Sequence, residues 1–134
     1  MSWDVLLLHL PEGFTSVQEL PDSFTPPALG TRHDVLAALG EAVPEADLSD
    51  PAWGEIEGPT WSMDLNIGEG EPVDTAMLHI YGSGDDVLVL VLRIARALRC
   101  KALDISTGRL LSGPDVAGWH TFQAYRDRVA GGAG

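Results

Sequence analysis

The segment from Asp85 to Arg99, DDVLVLVLRIARALR, constrains the fold more than any other part of the chain. Its first half has the composition of a strand, but the whole segment is too long for one strand. Arginines fill its C-terminal half, where they suit the negative end of a helix dipole. The apolar residues that recur at helical spacing are Val87, Val91, Ile94 and Leu98. The segment is therefore predicted to be a helix that is mostly buried at its start.

Shorter apolar runs predict the strands that this helix packs against. Trp3–Leu10 is nearly continuous and ends at Pro11, a pattern typical of a strand buried on both faces. Residues 60–68, TWSMDLNIG, alternate between apolar and polar, which predicts a half-buried strand; a start as early as Glu55 stays open. Thr75–Tyr81 follows after a turn-rich connection, so these two strands are predicted to pair antiparallel.

The remaining predicted elements are two helices, a core strand and a short hairpin strand. Thr31 is the expected N-cap of a helix that runs to Val43 and ends before Pro44. KALDIS is the last core strand, and RLLS after it forms a hairpin. A final helix is predicted over Pro114–Val129. Its apolar side comprises Val116, Trp119, Phe122 and Val129.

The order of elements is strand, helix, strand, strand, helix, strand, followed by a hairpin strand and a helix. Two βαβ-like halves with an antiparallel pair between them predict an α+β fold of the ferredoxin-like, split βαβ type. We expect an antiparallel-rich sheet of four or five strands with two helices on one face, plus the C-terminal helix. The chain has no internal repeat and no linker, so residues 1–134 are predicted to form a single domain. The long helix is expected to pack against Leu6, Leu8, Leu65, Leu78, Ile80 and Leu103.

The loop before the long helix, Gly82–Gly84, raises the question of a nucleotide site, because a strand, a glycine loop and a helix cradle phosphate in many proteins. A dinucleotide fingerprint needs a third glycine where Val87 stands, and a P-loop needs a lysine that is absent here. Asp85 and Asp86 occupy the helix N-terminus, where a phosphate would bind. Ser83 and Asp86 have the spacing of a capping box, so the loop is predicted to be a helix cap.

Acidic residues dominate the first two-thirds of the chain. The protein has 20 Asp and Glu against 8 Lys and Arg, a net charge of −12. Residues 1–92 contain 17 of the acids and one base, Arg32, whereas residues 93–134 carry a net charge of +4. Such a field repels nucleic acid and anionic lipid and attracts basic partners. Solubility alone is the alternative explanation, since net charge suppresses self-association.

The cysteine content and the N-terminal sequence predict a cytoplasmic protein. Cys100 is the one cysteine, so no internal disulfide can form, which suits a reducing compartment. The first residues carry an acid where a signal peptide has basic residues. The longest purely apolar run, Val87–Leu92, is far shorter than the ~20 residues of a membrane helix. We therefore expect no membrane association.

No constellation of catalytic or metal-ligating residues is recognisable, so the sequence predicts a non-enzyme without cofactor or metal. The four histidines form no HxH or HExxH pair, and Cys100 has no partner at zinc-ligand spacing. The acids of the central region lack the spacing of a calcium loop. Asp104 is separated from Thr107-Gly108 by two residues, unlike the Asp-Thr-Gly of aspartic proteases. We expect Asp104 to anchor a turn by hydrogen bonds.

The acids around the Trp61 strand offer a surface for a partner protein. Trp53 is predicted to lie in a loop, where a large aromatic residue either fills the edge of the core or anchors a partner. The predicted contact residues are Trp53, Glu55, Glu57, Asp64, Glu69 and Glu71. The alternative is a small-ligand or enzyme-like site at Asp64, His79 and Tyr81, because a His–Asp pair on an open sheet face can transfer protons. A half-exposed histidine without such a role is the third interpretation.

Four segments, WDVLLLHLP, SDPAWG, MLHIYGSGDD and ALDISTGRLL, occur in an order that resembles a family of small uncharacterised bacterial proteins. Some members of that family are encoded near polymorphic toxins and are candidate immunity proteins. The resemblance implies a small α+β cytosolic domain with no catalytic residues to transfer, and it does not extend to the final helix. Together with the charge, it leads to the hypothesis of a non-catalytic acidic binding protein, an immunity-type inhibitor of a basic toxin or nuclease. A partner subunit of unknown role is the further alternative.

Overall fold

The computed structural model describes residues 2–10, 18, 20–111 and 117–132, the last range without the side chains of residues 117, 126 and 129–132. The strands in this part of the chain are β1 (Trp3–Leu8), β2 (Trp53–Glu57), β3 (Trp61–Asn66), β4 (Ala76–Gly82), β5 (Lys101–Asp104) and β6 (Arg109–Leu110). The helices are α1 (Arg32–Ala42), α2 (Asp86–Ala97) and α3 (Ala117–Gly132). No helix in the described ranges has the length and apolar content needed to cross a membrane.

The strands form one antiparallel sheet in the order β2-β3-β4-β1-β5-β6. Its four central strands, β3-β4-β1-β5, are connected through α1 and α2 in the split βαβ arrangement of a ferredoxin-like fold. The predicted α+β architecture is therefore confirmed. The sheet has six strands where four or five were expected, because β2 and β6 extend its two edges.

At one edge, β2 is a separate strand and not an early start of β3. The backbone N–H of Gly58 donates to the carbonyl of Trp61 at 2.9 Å, which closes a tight turn between the two strands. The chain reverses there, so Glu55 lies directly opposite Asp64. Pro59 stands in that turn, and proline cannot donate to a sheet ladder, which explains why the strand is interrupted at this point.

The main core lies on the face of the sheet that the helices cover. Every second residue of β1, β3 and β4 points to this face, as the pleat of a strand requires. The strand and α2 side chains with 0% exposure are Val5, Leu7, Met63, Leu78, Ile80, Val87, Val91 and Ile94. Leu65, Leu78 and Ile80 belong to the same cluster as the buried side of α2, so these three expected partners are confirmed.

Three residues expected beneath α2 lie on the opposite face of the sheet. Leu6, Leu8 and Leu103 form a second, smaller cluster with Leu110. The residues of β1 that face the helices are instead Trp3, Val5 and Leu7. The prediction was wrong because β1 is apolar at almost every position, so its sequence does not indicate which set of alternate residues faces the helices.

The helical interpretation of the segment after Asp85 is confirmed by α2. Its buried residues follow the spacing of one helical face, with Val87, Val91 and Ile94 at the centre. Val89 lies off that face and is 62% exposed. A strand through the same residues would have buried alternate positions.

The acids at the start of α2 hold tryptophan side chains and do not cap the helix. Asp85 is the N-cap residue, but its side chain makes no capping hydrogen bond. Its carboxylate accepts a hydrogen bond from Nε1 of Trp119 at 2.9 Å, and the carboxylate of Asp86 accepts one from Nε1 of Trp61 at 2.9 Å. The predicted capping box is therefore wrong, because indole donors from β3 and α3 occupy these carboxylates.

The glycine loop before α2 is shaped by its closeness to the turn between β2 and β3. Gly82 and Gly84 have φ angles of 96° and 105°, in the region that favours glycine. A Cβ atom on Gly84 would lie 2.7 Å from Oδ1 of Asp86 and 2.7 Å from Oγ1 of Thr60. The close approach of Thr60 and Asp86 to the loop therefore accounts for the glycine at position 84.

The first and last helices dock on the same face as α2. Thr31 caps α1 as predicted, since its Oγ1 accepts a hydrogen bond from the backbone N–H of Asp34 at 3.2 Å. In α3, Trp119 is 0% exposed and packs on Trp3, with ring centroids 5.0 Å apart. Phe122 stacks on Trp119 as part of the expected apolar side. The other residues predicted for that side, Val116 and Val129, lie outside the described side chains.

Candidate functional site

The face of the sheet opposite the helices carries a row of ionisable side chains across four strands. The register places Glu55 of β2 opposite Asp64 of β3, Asp64 opposite His79 of β4, and His79 opposite Asp4 of β1. Side chains directly opposite on antiparallel strands have Cβ atoms about 4.5–5.5 Å apart. We call Glu55, Asp64, His79 and Asp4 the acidic row, and the face of β1 to β4 that bears it the open face.

His79 is held by Asp4 and not by Asp64, the partner that the sequence suggested. Nδ1 of His79 lies 2.9 Å from Oδ1 of Asp4, which also accepts a hydrogen bond from Oγ of Ser2 at 2.7 Å. Because a carboxylate only accepts, Nδ1 carries the proton of this bond, and in the neutral ring Nε2 is then an acceptor. Asp64 remains the direct neighbour of His79 on β3.

Trp53 is the first residue of β2, so its predicted position in a loop is wrong. Its indole reaches across β3 and stacks on the imidazole of His79, with ring centroids 5.9 Å apart and an interplanar angle of 20°. The side chain stays 37% exposed. The proposed contact anchor and the histidine of the alternative ligand site therefore belong to one surface.

One of the two neighbouring rows of the open face is polar as well. Glu57 lies opposite Ser62, and Ser62 lies opposite Tyr81, which is 36% exposed. The structure thus places the alternative site residues Asp64, His79 and Tyr81 on two adjacent strands of the open face, in adjacent rows. They share this face with the contact residues Trp53, Glu55 and Glu57.

Glu69 and Glu71 lie in the connection between β3 and β4, outside the strands of the open face. The carboxylate oxygens of Glu71 are 3.1 and 3.3 Å from the backbone nitrogen of Arg32, the first residue of α1. The guanidinium of Arg32 donates to the carbonyls of Pro51 and Gly70, each at 2.6 Å. Glu71 therefore accepts a hydrogen bond from the first residue of α1, whereas Glu69 is exposed.

The open face concentrates negative charge, and Arg128 of α3 is a described base near the acidic row, where it lines one pocket with Asp4. The strands β1 to β4 contain no lysine and no arginine. Among the described residues, the side chains of Glu55 and Asp64 have no hydrogen-bond partner. Like charges directly opposite on adjacent strands are destabilising. The fold carries this unfavourable pair at directly opposed positions of β2 and β3.

Asp4 is the residue of the acidic row that sequence reasoning missed. The run WDVLLLHL predicts a strand buried on both faces, and that interpretation assigns its single acid to no site. The position of Asp4 between two apolar residues, Trp3 and Val5, could have identified it. A charged residue inside an apolar strand marks the face of that strand that is exposed.

Two other candidate positions are structural. Asp104 is 2% exposed, and its Oδ1 accepts hydrogen bonds from the backbone N–H of Ser106 at 2.9 Å and from its hydroxyl at 2.6 Å, which confirms the predicted turn anchor. Burial raises the pKa of the Cys100 thiol to about 12, which keeps it protonated and unreactive at neutral pH. Within the described ranges, no group of three or more His, Cys, Asp or Glu side chains could hold a metal ion.

Comparisons of the chain with protein-family models, with curated proteins and with solved structures give no match. The family resemblance of the four sequence segments therefore stays a prediction. The chemistry available to the protein has to follow from the open face itself, from its charges, its acceptors and its exposed indole.

Proposed function

We propose that the protein is a non-catalytic binding module whose acidic open face docks on a basic partner protein. The observation that supports this most strongly is the acidic row, which brings three carboxylates into one register line on strands that contain no lysine or arginine. A need for solubility accounts for net charge, but it does not require acids at directly opposed positions. A cationic partner removes the repulsion between Glu55 and Asp64 and gains charge-assisted hydrogen bonds.

Trp53 gives this surface an anchor for a partner. Aromatic residues, tryptophan above all, dominate binding energy when a partner covers them. The surrounding acids act at longer range, where complementary charge speeds the encounter and selects the partner. The stacking on His79 fixes the indole in place before binding, so less conformational entropy is lost on association.

Within this proposal the partner is a basic toxin or nuclease, and the protein is its immunity-type inhibitor in the cytoplasm. Nucleases present a basic surface to their anionic substrate, and an acidic protein can occupy that surface. The uneven charge of the chain, the single cysteine and the resemblance to candidate immunity proteins support this choice. The protein needs no catalytic residue or cofactor to act in this way.

The test measures affinity for a purified basic toxin or nuclease domain encoded beside the gene, by calorimetry at low and at physiological salt. We expect binding that weakens as the salt concentration rises. The double variant Glu55→Gln/Asp64→Asn is expected to bind about tenfold more weakly or worse, because a hydrogen bond to a charged group contributes about 1.5 kcal/mol or more.

The matched control places the same two changes on the helix side of the molecule. Asp34→Asn/Glu41→Gln alters two exposed acids of α1 and removes the same charge. It is expected to bind within about twofold of the unmodified protein if the open face is the contact. Equal weakening by both variants would show that net charge alone matters, and absence of binding would remove the proposal.

A second candidate function is favoured by the hydrogen bond between His79 and Asp4. An imidazole oriented by a carboxylate can transfer protons, so the open face around Asp64, His79 and Tyr81 also suits a small-ligand or enzyme-like site. A turnover that His79→Ala abolishes while the far-UV spectrum stays unchanged would favour this candidate. The third candidate, a partner subunit whose acidity serves solubility, predicts equal behaviour of the two double variants above.

A further inference from the structure

The acidic row and Trp53 together favour one chemical group in the partner. We propose that the open face recognises the guanidinium of an arginine side chain, bound by Glu55 and Asp64 and stacked on the indole of Trp53. The inference rests on the proposed docking function and specifies the residue type that the surface selects.

The hydrogen-bonding groups of the acidic row are acceptors. Glu55 and Asp64 are carboxylates without a hydrogen-bond partner among the described residues, and Asp4 uses Oδ1 for both of its bonds. His79 donates through Nδ1 to Asp4, which leaves Nε2 as an acceptor in the neutral ring. Because the carboxylates among these acceptors are also negatively charged, a cation with several donors and no acceptor satisfies this row best. The arginine guanidinium has five N–H donors and no acceptor.

The indole of Trp53 adds a flat surface beside these acceptors. Its stacking on His79 sets the plane across β3, the strand that carries Asp64. Tryptophan is the strongest aromatic partner of a cation, and arginine occupies such positions more often than lysine. A planar guanidinium can stack on the indole while the N–H groups along its edge reach neighbouring carboxylates. The compact ammonium of lysine cannot make both interactions in the same geometry.

The spacing of the carboxylates fits the same group. Glu55 and Asp64 stand on adjacent strands at directly opposed positions, so their Cβ atoms are about 5 Å apart. Side chains that start this close together can each accept a hydrogen bond from a different edge of one guanidinium. A small metal ion is a poorer candidate, since no suitable group of three ligands occurs within the described ranges.

The test compares two peptides of equal charge and length, acetyl-GRGRGRG-amide and acetyl-GKGKGKG-amide, by calorimetry at low salt. The arginine peptide is expected to bind about three- to tenfold more tightly than the lysine peptide. In Trp53→Ala that ratio should fall to about one, with the affinity for the lysine peptide almost unchanged. Trp53→Phe keeps an aromatic ring and should retain part of the preference.

Controls separate this inference from the docking proposal. Trp53 is partly exposed at the edge of the sheet, and circular dichroism checks that its variants fold. Glu55→Gln/Asp64→Asn should weaken both peptides, whereas Asp34→Asn/Glu41→Gln should weaken neither. Equal affinity for the two peptides, or a preference that persists in Trp53→Ala, overturns arginine recognition but leaves acidic docking intact. Binding of neither peptide, or binding that Glu55→Gln/Asp64→Asn leaves unchanged, overturns both.

Discussion

The two faces of the sheet differ residue by residue along the same strands. In β3, Met63 is 0% exposed beneath the helices, and the next residue, Asp64, belongs to the acidic row. In β4, Leu78 is 0% exposed, whereas the side chain of His79 is 24% exposed. The two faces share the same strands, backbone and register. The difference between them therefore lies in the side chains alone.

Burial explains most of the face that the helices cover, the covered face. Most of its side chains are apolar, and removing apolar surface from water stabilises the fold by about 25 cal/mol per Å². The open face has no equivalent explanation, because opposed acids lower stability and Trp53 leaves 37% of its surface exposed. A surface that the fold does not need, and that costs stability, is where a function is expected. The comparison of the two faces therefore favours the acidic row as the functional surface.

A single charge placed on the covered face should strongly destabilise the protein. Val91→Asp places a carboxylate at a position that is 0% exposed, beneath α2, and should destabilise the protein by about 3–5 kcal/mol because the buried charge has no partner. Urea denaturation followed by circular dichroism measures this loss. Val89→Asp is the matched control on the 62% exposed side of the same helix, and it should change stability by no more than about 0.5 kcal/mol. Similar losses in both variants would contradict the assigned burial of α2.

The carboxylate of Asp85 tests how α3 is held on the covered face. Asp85→Ala removes the acceptor of Nε1 of Trp119, a side chain that is 0% exposed, and should cost about 1–3 kcal/mol because a buried donor loses its partner. Asp85→Asn keeps an acceptor oxygen and should recover most of that stability. Thermal unfolding of the two variants distinguishes the cases. Equal loss in both would assign the effect to the charge at the start of α2 instead.

The covered face could largely be predicted from the sequence, and the reason is periodicity. The helical spacing in α2 and the alternation in β3 are local patterns, so they indicate both the element and its buried side. β1 lacks alternation, and its facing could not be inferred. The hydrogen bonds of Asp85 and Asp86 were also beyond sequence reasoning, because their indole partners are 34 and 25 residues away. Local capping preferences gave way to those tertiary contacts.

The candidate site could be predicted in part for a similar reason. Glu55, Glu57 and Asp64 alternate with apolar residues, so their exposure followed from the strand pattern. The bond between His79 and Asp4 needed the pairing of β1 with β4, strands far apart in the chain. The place of Trp53 in a strand depended on recognising the turn at Pro59. Register across strands, which aligns the acidic row, is not encoded in any one segment.

The smallest expected effect is on the acidic row. Removing a charge from the open face should raise stability, whereas adding a charge to the covered face should lower it. Asp64→Asn relieves the repulsion between Asp64 and Glu55 and should stabilise the protein by about 0.2–1 kcal/mol. Glu55→Gln should stabilise it by a similar amount. Asp22→Asn is the control, the same chemical change at an exposed acid without a side-chain hydrogen bond among the described residues, and should have almost no effect.

A double-mutant cycle determines whether repulsion within the row is the cause. Either single change already removes the like-charge pair, so Glu55→Gln/Asp64→Asn should gain less stability than the sum of the two single gains. Urea denaturation at low salt gives the coupling energy, and it should shrink as added salt screens the exposed carboxylates. Additive gains would mean that Glu55 and Asp64 do not repel each other. A loss of stability on Asp64→Asn would mean that Asp64 has a favourable partner within the fold. The acidic row would then stabilise the sheet, and the proposal that it is a docking surface would be wrong.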